Sequence, residues 1–158
     1  MTGYRIGYMA APREIVRAVT TIQGQITSCA SSISQIAAIA ALKVPDDVMD
    51  ESIQIMKDKR NFVIEELRKI ENVKISLPRG AFYVLPDISY YFHMTASDGT
   101  KIVGANDFCL YFLRVHRVAV VTGEAFGYEN GFRISYATSM DDLAYSLQQL
   151  KVCLGSLK

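Results

Sequence analysis

Cysteine and histidine are scarce in these 158 residues: three of the first, Cys29, Cys109 and Cys153, and two of the second, His93 and His116. Cysteines odd in number and far apart fit neither a disulfide framework nor a zinc-ligand spacing. Each reads as a small buried residue of a reducing compartment. The two histidines are isolated and read as structural, so no metal site is expected. An excess of one charge is also missing. The net charge is +1 and no block of five basic residues occurs, which argues against nucleic acid or an anionic membrane as partner. No apolar run reaches about 18 residues. The Met1 end has neither a charged n-region nor an apolar h-region, so secretion and membrane spanning are not expected. The expected location is cytoplasmic, with organelle targeting left open.

What is present is an ordinary globular composition, half apolar and about a fifth charged, at the size of one domain with a real core. Gly3 to Pro12 alternates Tyr4, Ile6 and Tyr8 against Arg5, Gly7 and Met9, which predicts a strand. Pro12 stands at a helix start, Gly24 to Ser32 reads as a small polar loop, and the Ala- and Ile-rich stretch after it as a closely packed helix. Pro45-Asp46-Asp47 opens a long helix with Met49, Ile53, Met56, Val63, Leu67 and Ile70 in one register and Arg60 in its single gap. Its acidic start suits the helix dipole.

In the second half, Val73 to Ser76 and Ala81 to Leu85 read as strands around the turn Pro78-Arg79-Gly80. Tyr90 to Gly104 reads as an aperiodic loop. Asn106 can cap a helix through Phe108, Phe112 and Val115, followed by a strand at Val118 to Val121 and a turn at Gly123. Ser139 and Asp142 form a capping box ahead of the stripe Leu143, Leu147, Leu150 and Leu154.

Three constellations could carry chemistry. In F-R-I-S-Y-A-T-S, Phe132 to Ser139, the apolar Phe132, Ile134 and Tyr136 share one face. Arg133 stands on the other with only Ser135 and Ala137 beside it. A solvated face would carry several charges or threonines, so this lone guanidinium reads either as a salt-bridge partner or as a cation kept for an approaching anion. In M-T-G-Y-R-I-G, Gly3 and Gly7 straddle Arg5 and leave its five-donor fork uncrowded, which suits phosphate or carboxylate. From that motif alone, a surface strand arginine is the better reading. In P-R-G-A-F-Y, Pro78 to Tyr83, a glycine turn feeds an aromatic pair that fits either a core or a binding wall.

Taken together, these motifs resemble the C-terminal part of the class I aminotransferases, which are fold-type I pyridoxal-phosphate enzymes. M-T-G-Y-R-I-G is similar to the segment that follows the family's cofactor lysine. P-R-G-A-F-Y is similar to its P-x-G-A-F-Y strand, and F-R-I-S-Y-A to the strand whose arginine holds the substrate α-carboxylate. Q-G-Q-I-T-S-C-A-S-S-I-S-Q and S-Y-A-T-S-M-D-D-L are similar to the aspartate and prephenate aminotransferase branch. The resemblance covers nearly the whole chain. It implies Arg5 for the phosphate of pyridoxal 5'-phosphate, Arg133 for the substrate α-carboxylate, and Tyr83, with Phe82, lining the same cleft. It implies amino acid and 2-oxo acid substrates, with aspartate, glutamate and prephenate all open, and a homodimer to which Gln25 to Ser28 contribute. Another fold-type I enzyme such as a lyase, and a non-catalytic anion-binding module, are the alternatives.

Two departures from the family pattern stand out. Tyr4 replaces the usual tryptophan, and Val121-Thr122-Gly123 replaces V-P-G. The family's Schiff-base lysine lies a few residues before M-T-G, and Lys43 and Lys59 lie outside any such motif. The chain alone is therefore expected not to transaminate. The implied architecture is the α/β pyridoxal-phosphate-dependent transferase-like fold. Residues 1–43 would be a remnant of the large cofactor-binding domain, 44–72 a bridging helix, and 73–158 the small α+β domain.

Overall fold

The computed structural model describes all residues, 1–158. The chain divides into two compact units, Met1–Glu51 and Ser52–Lys158, and the division falls inside one long helix.

In the first unit, Thr2–Tyr4 make a single 3-10 turn, and Gly3 to Pro12 is not the strand its alternation predicts. The sheet of this protein contains no strand from this segment. Without a neighbouring ladder, an extended segment has no partners for its N–H groups. The turn satisfies two of them locally, Tyr4 N–H donating to Met1 O (3.1 Å) and Arg5 N–H to Thr2 O (3.2 Å). Helix α1 (Arg13–Ile26) starts directly after Pro12. It runs through Gly24, Gln25 and Ile26, which the small polar residues had suggested as loop, because Ile22 and Ile26 continue the helical spacing of Ile15 and Val19. Helix α2 (Ser32–Ala41) follows. Helix α3 (Asp46–Arg68) opens on Asp46 and Asp47, as expected. Its apolar register divides: Met49 and Ile53 are exposed, whereas Val63, Ile64 and Leu67 are buried.

The second unit contains strand β1 (Tyr83–Val84), helix α4 (Ala105–His116), strands β2 (Val121–Thr122) and β3 (Phe132–Ser135), and helix α5 (Met140–Gly155). The sheet order is β1-β3-β2, with both pairs antiparallel. Tyr83 lies opposite Ser135, Val84 opposite Ile134, Val121 opposite Arg133 and Thr122 opposite Phe132. Four expectations shorten or shift, among them the strand expected over Ala81 to Leu85, which spans only Tyr83–Val84. Val73 to Ser76 forms only an isolated bridge, Lys74 with Asp87, and the strand expected from Val118 begins at Val121. Helix α4 starts at Ala105, so Asn106 is inside it rather than at its cap. Asp107 instead supplies the cap-like contact, its Oδ2 accepting from Val103 N–H at 3.1 Å.

The start of α5 follows the capping box. Ser139 Oγ accepts from Asp142 N–H at 3.1 Å and donates to Asp142 Oδ2 at 2.6 Å. The carboxyl of Asp142 is held below its ordinary value by those hydroxyls, Ser139 first and Thr138 second. Leu143, Leu147, Leu150 and Leu154 are all buried, each such burial stabilising by roughly 2 kcal/mol. They share the core with Phe108, Phe112, Phe132 and Tyr136. Phe108 stacks on Phe112 and on Phe132, with centroids 5.4 and 5.1 Å apart. Phe132 of β3 and Tyr136 just after it therefore enter the core, and Arg133 is left on the other face.

Candidate functional site

Arg133 is half-buried on the central strand of the sheet. Its guanidinium carbon lies 4.2 Å from the centroid of the Tyr83 ring and 4.1 Å from that of Phe126. The two rings reach it from opposite flanks of β3, Tyr83 from β1 and Phe126 from the 3-10 turn Gly123–Phe126 that follows β2. Each ring face attracts the cation, by about 0.5–1 kcal/mol at such partly exposed sites. No carboxylate pairs with Arg133: the protein's one ion pair joins Lys69 and Glu66. That removes the salt-bridge reading left open by the sequence. The result is a cation braced by two rings, with its N–H edge uncommitted.

Local hydrogen bonds explain why the rings stand there. Tyr136 N–H donates to Phe82 O at 2.9 Å and its hydroxyl to Ala81 O at 3.0 Å. These two bonds fasten the P-R-G-A-F-Y turn, in which Ala81 has φ 58°, to β3. On the other flank, Gly123 N–H donates to Gly131 O (2.8 Å) and Gly123 O accepts from Tyr128 N–H (3.0 Å). A Cβ at Gly123 would collide with the carbonyl oxygens of Tyr128 and Gly131, and one at Gly131 with that of Pro86. The loop therefore needs glycine at both places. It is tightly tied although Thr122 stands where the family resemblance suggests proline. Thr122 Oγ1 is buried without a hydrogen-bond partner.

Asp87 anchors the same loop. Its carboxylate accepts from Ser89 N–H (2.9 Å), Ser89 Oγ (2.7 Å) and Tyr128 Oη (2.9 Å). Burial pushes this carboxyl upward, but the hydrogen bonds from Ser89 and Tyr128 outweigh it and hold the group below its ordinary value.

Arg5 belongs to the first unit and is exposed. It adopts the left-handed conformation, φ 51° and ψ 43°, uncommon for a side chain of this size. Its Nη1 donates to Thr2 O at 3.3 Å and no acid pairs with it. Gly3 and Gly7 have open space where a Cβ would stand. Ser34, the buried polar residue of the molecule, donates its hydroxyl to Tyr4 O at 2.9 Å, holding the residue next to Arg5. The structure thus brings Tyr83 and Arg133 together and places Arg5 in a separate unit.

Sequence reasoning missed Phe126, Ser34 and the Asp87–Tyr128 pair. Nothing in their local pattern marks them: Ser34 and the Asp87–Tyr128 pair act through neighbours distant in the chain, and Phe126 through a fold-back of the turn after β2. A cavity of about 440 Å³ opens beside the other face of β3, lined by Phe132, Ile134, Leu143 and Leu147 with Arg117 and Asp142 among its polar walls. None of Arg5, Tyr83 or Arg133 lines it. No group of three or more potential metal ligands is present, and no helix is long and apolar enough to cross a membrane.

Comparison with known proteins agrees with the motifs. The family model for aminotransferase class I and II matches residues 1–150, so the chain belongs to the class I and II aminotransferases. It is 41% identical over 157 residues to an aspartate aminotransferase of Rhizobium meliloti, covering 99% of this chain and 38% of that protein. It is 43% identical over 143 residues to a probable aspartate/prephenate aminotransferase of Rickettsia conorii, covering 90% of this chain and 36% of the relative. The crystal structure of an aspartate aminotransferase from Rhizobium meliloti superposes with a TM-score of 0.86 at 39% identity, over 100% of this chain and 40% of that one. The fold is that of the pyridoxal-phosphate-dependent aminotransferases of fold type I. The chain spans less than half the length of the curated relatives it matches. The lyase and binding-module readings are not favoured.

Proposed function

We propose that this chain is part of an enzyme that transfers an amino group between an amino acid of the aspartate or glutamate type and a 2-oxo acid. The observation that carries the reading is Arg133, braced by Tyr83 and Phe126 with no acid partner. A planar fork of donors fits a carboxylate through two parallel bonds, which orients the substrate Cα–H for proton removal. Tyr83 lines that site through its ring.

Family members generally use pyridoxal phosphate, and the donor chemistry at Arg5 fits its phosphate. A guanidinium without an acid partner, between two uncrowded glycines, suits a doubly charged monoester. Charge-assisted hydrogen bonds there contribute about 1.5–3 kcal/mol each. When bound, the cofactor supplies the electron sink for the substrate carbanion. Catalysis also needs a lysine that this chain does not supply at a matching motif. Lys59 Nζ is engaged with Thr138 O at 2.6 Å, and Lys69 is paired with Glu66.

Residues 1–43 would then belong to the cofactor-binding domain and 73–158 to the small domain. The exposed stripe Ile15, Val19, Ile22 and Ile26 supports association into a dimer, which sedimentation of the chain would reveal.

Arginine-labelled NMR tests the roles directly. Inorganic phosphate should shift the Nε–H signal of Arg5, and succinate that of Arg133. Exchange of the two responses, or no response at Arg133, would overturn the assignment. Pyridoxal phosphate followed by borohydride should leave no single lysine stoichiometrically modified; one such lysine would refute the division of roles.

A further inference from the structure

The exposed aromatic on the second flank of Arg133 stands outside the motifs that carry the family resemblance. Phe126 is 46% exposed, too open to be placed there by core packing, yet its ring centroid is 4.1 Å from the guanidinium carbon. The residues around it are tied to one another. Gly127 N–H donates to Glu124 O (3.1 Å) and Tyr128 N–H to Gly123 O (3.0 Å), and Tyr128 Oη donates to Asp87 Oδ2 (2.9 Å). Gly127, at φ 72°, closes the turn directly after Phe126. A loop this constrained delivers one solvent-facing ring to one cation.

We propose that Phe126 is a positioning residue that, together with Tyr83, fixes the plane of the Arg133 guanidinium and so selects planar carboxylates over tetrahedral oxyanions. With rings on both flanks, ligands reach Arg133 along the plane of its N–H edge. A carboxylate is itself planar and makes its two bonds in that plane. Phosphate or sulfate cannot place all its oxygens in one plane, and the rings of Tyr83 and Phe126, 4.2 and 4.1 Å from the guanidinium carbon, crowd the space beside it. Tyr83 alone would brace one flank and leave the other open to rotation of the guanidinium. This inference rests on Arg133 as the carboxylate arginine and extends it to how that arginine discriminates.

The test uses the whole chain with arginine labelled, following the Arg133 Nε–H signal during titration with succinate and, separately, with inorganic phosphate. Four proteins are compared: the unchanged chain, Phe126→Leu, Phe126→Tyr and Arg133→Lys, with succinate binding followed by calorimetry in the last. Phe126→Leu keeps bulk and loses the ring quadrupole. It should weaken succinate roughly two- to fivefold and narrow the preference over phosphate, and Phe126→Tyr should restore both. A purely structural role for Phe126 would not change the ratio between the two anions.

If Phe126→Leu leaves succinate affinity and the ratio unchanged while Arg133→Lys abolishes binding, the positioning role is refuted and the carboxylate arginine stands. If Arg133→Lys changes nothing, or the unchanged chain shows no succinate response at Arg133, the underlying reading fails and the inference with it. Should Phe126→Leu not fold, Tyr128→Phe removes only the hydroxyl bond to Asp87. A smaller loss of succinate preference in that variant supports the proposal, and an unchanged preference refutes it.

Discussion

The two units of the chain are built from similar helices and differ in what those helices bury. In Met1–Glu51, α1 has a clear apolar stripe, yet Ile15, Val19, Ile22 and Ile26 are all exposed, as are Ile33, Ile36 and Ile39 on α2. In Ser52–Lys158, the stripes of α4 and α5 close over β3 and form the protein's apolar core. An isolated helix shorter than about 12–15 residues is marginal in water, and most helical stability comes from packing an apolar face. The helices of the second unit are covered by residues of this chain, whereas the stripes of α1 and α2 have no cover within it. Amphipathic pattern announces a helix without saying what covers it.

The sharpest way to break this comparison is thiol labelling. Cys29 is exposed, while Cys109 and Cys153 are buried, with burial pushing their thiols up to about 11 and about 12. The thiolate is the reactive form, so Cys29 should react with iodoacetamide orders of magnitude faster. Comparable rates at all three, measured by peptide mapping, would show that the second unit is not closed.

Next in size is one substitution made in both units. Gly131→Ala drives a methyl into the Pro86 carbonyl and should cost more than about 3 kcal/mol in urea unfolding. Gly24→Ala lies inside α1 with nothing within 4 Å and should raise helicity by circular dichroism, stabilising by about 0.5–1 kcal/mol. Equal signs would contradict the contrast.

Acid stability comes third. The folded-state pKa of Asp87 is depressed, so its contribution is complete above the unfolded value of 3.8 and is lost as pH falls through the lower folded value. Asp87→Asn should therefore flatten the decline of unfolding free energy as pH falls below about 4. An unchanged slope would remove Asp87 as the loop's anchor. The smallest effect concerns Thr122, whose buried Oγ1 has no partner. Thr122→Val keeps the shape, removes the orphaned hydroxyl and should stabilise by about 1 kcal/mol; a lower Tm would mean that the hydroxyl has a partner after all.

The sequence exposed those features that depend on neighbours within a few residues. The Ser139–Asp142 box, the leucine stripe of α5 and the alternation of β3 all follow from spacings of two, three or four. Arg133 was conspicuous for the same reason, as the single charge on a face of small residues. Gly3 to Pro12 misled because alternation is necessary for a strand and insufficient without a ladder partner. Asn106 misled because Asp107, one residue later, reaches Val103 N–H instead. Ser34 could not be read from a local window, since it meets Tyr4 thirty residues away, and Phe126 meets Arg133 only because the turn after β2 folds it back beside the next strand.

The alternation of β3 has a further consequence. Phe132 and Tyr136 face the core while Arg133, between them, meets the two rings. A shift of this strand by one residue would send the guanidinium into hydrocarbon and the benzyl group out beside the two rings. Errors of alignment here therefore erase the core packing and the ring-braced cation in a single stroke, and gradual drift between neighbouring registers is closed to this part of the molecule.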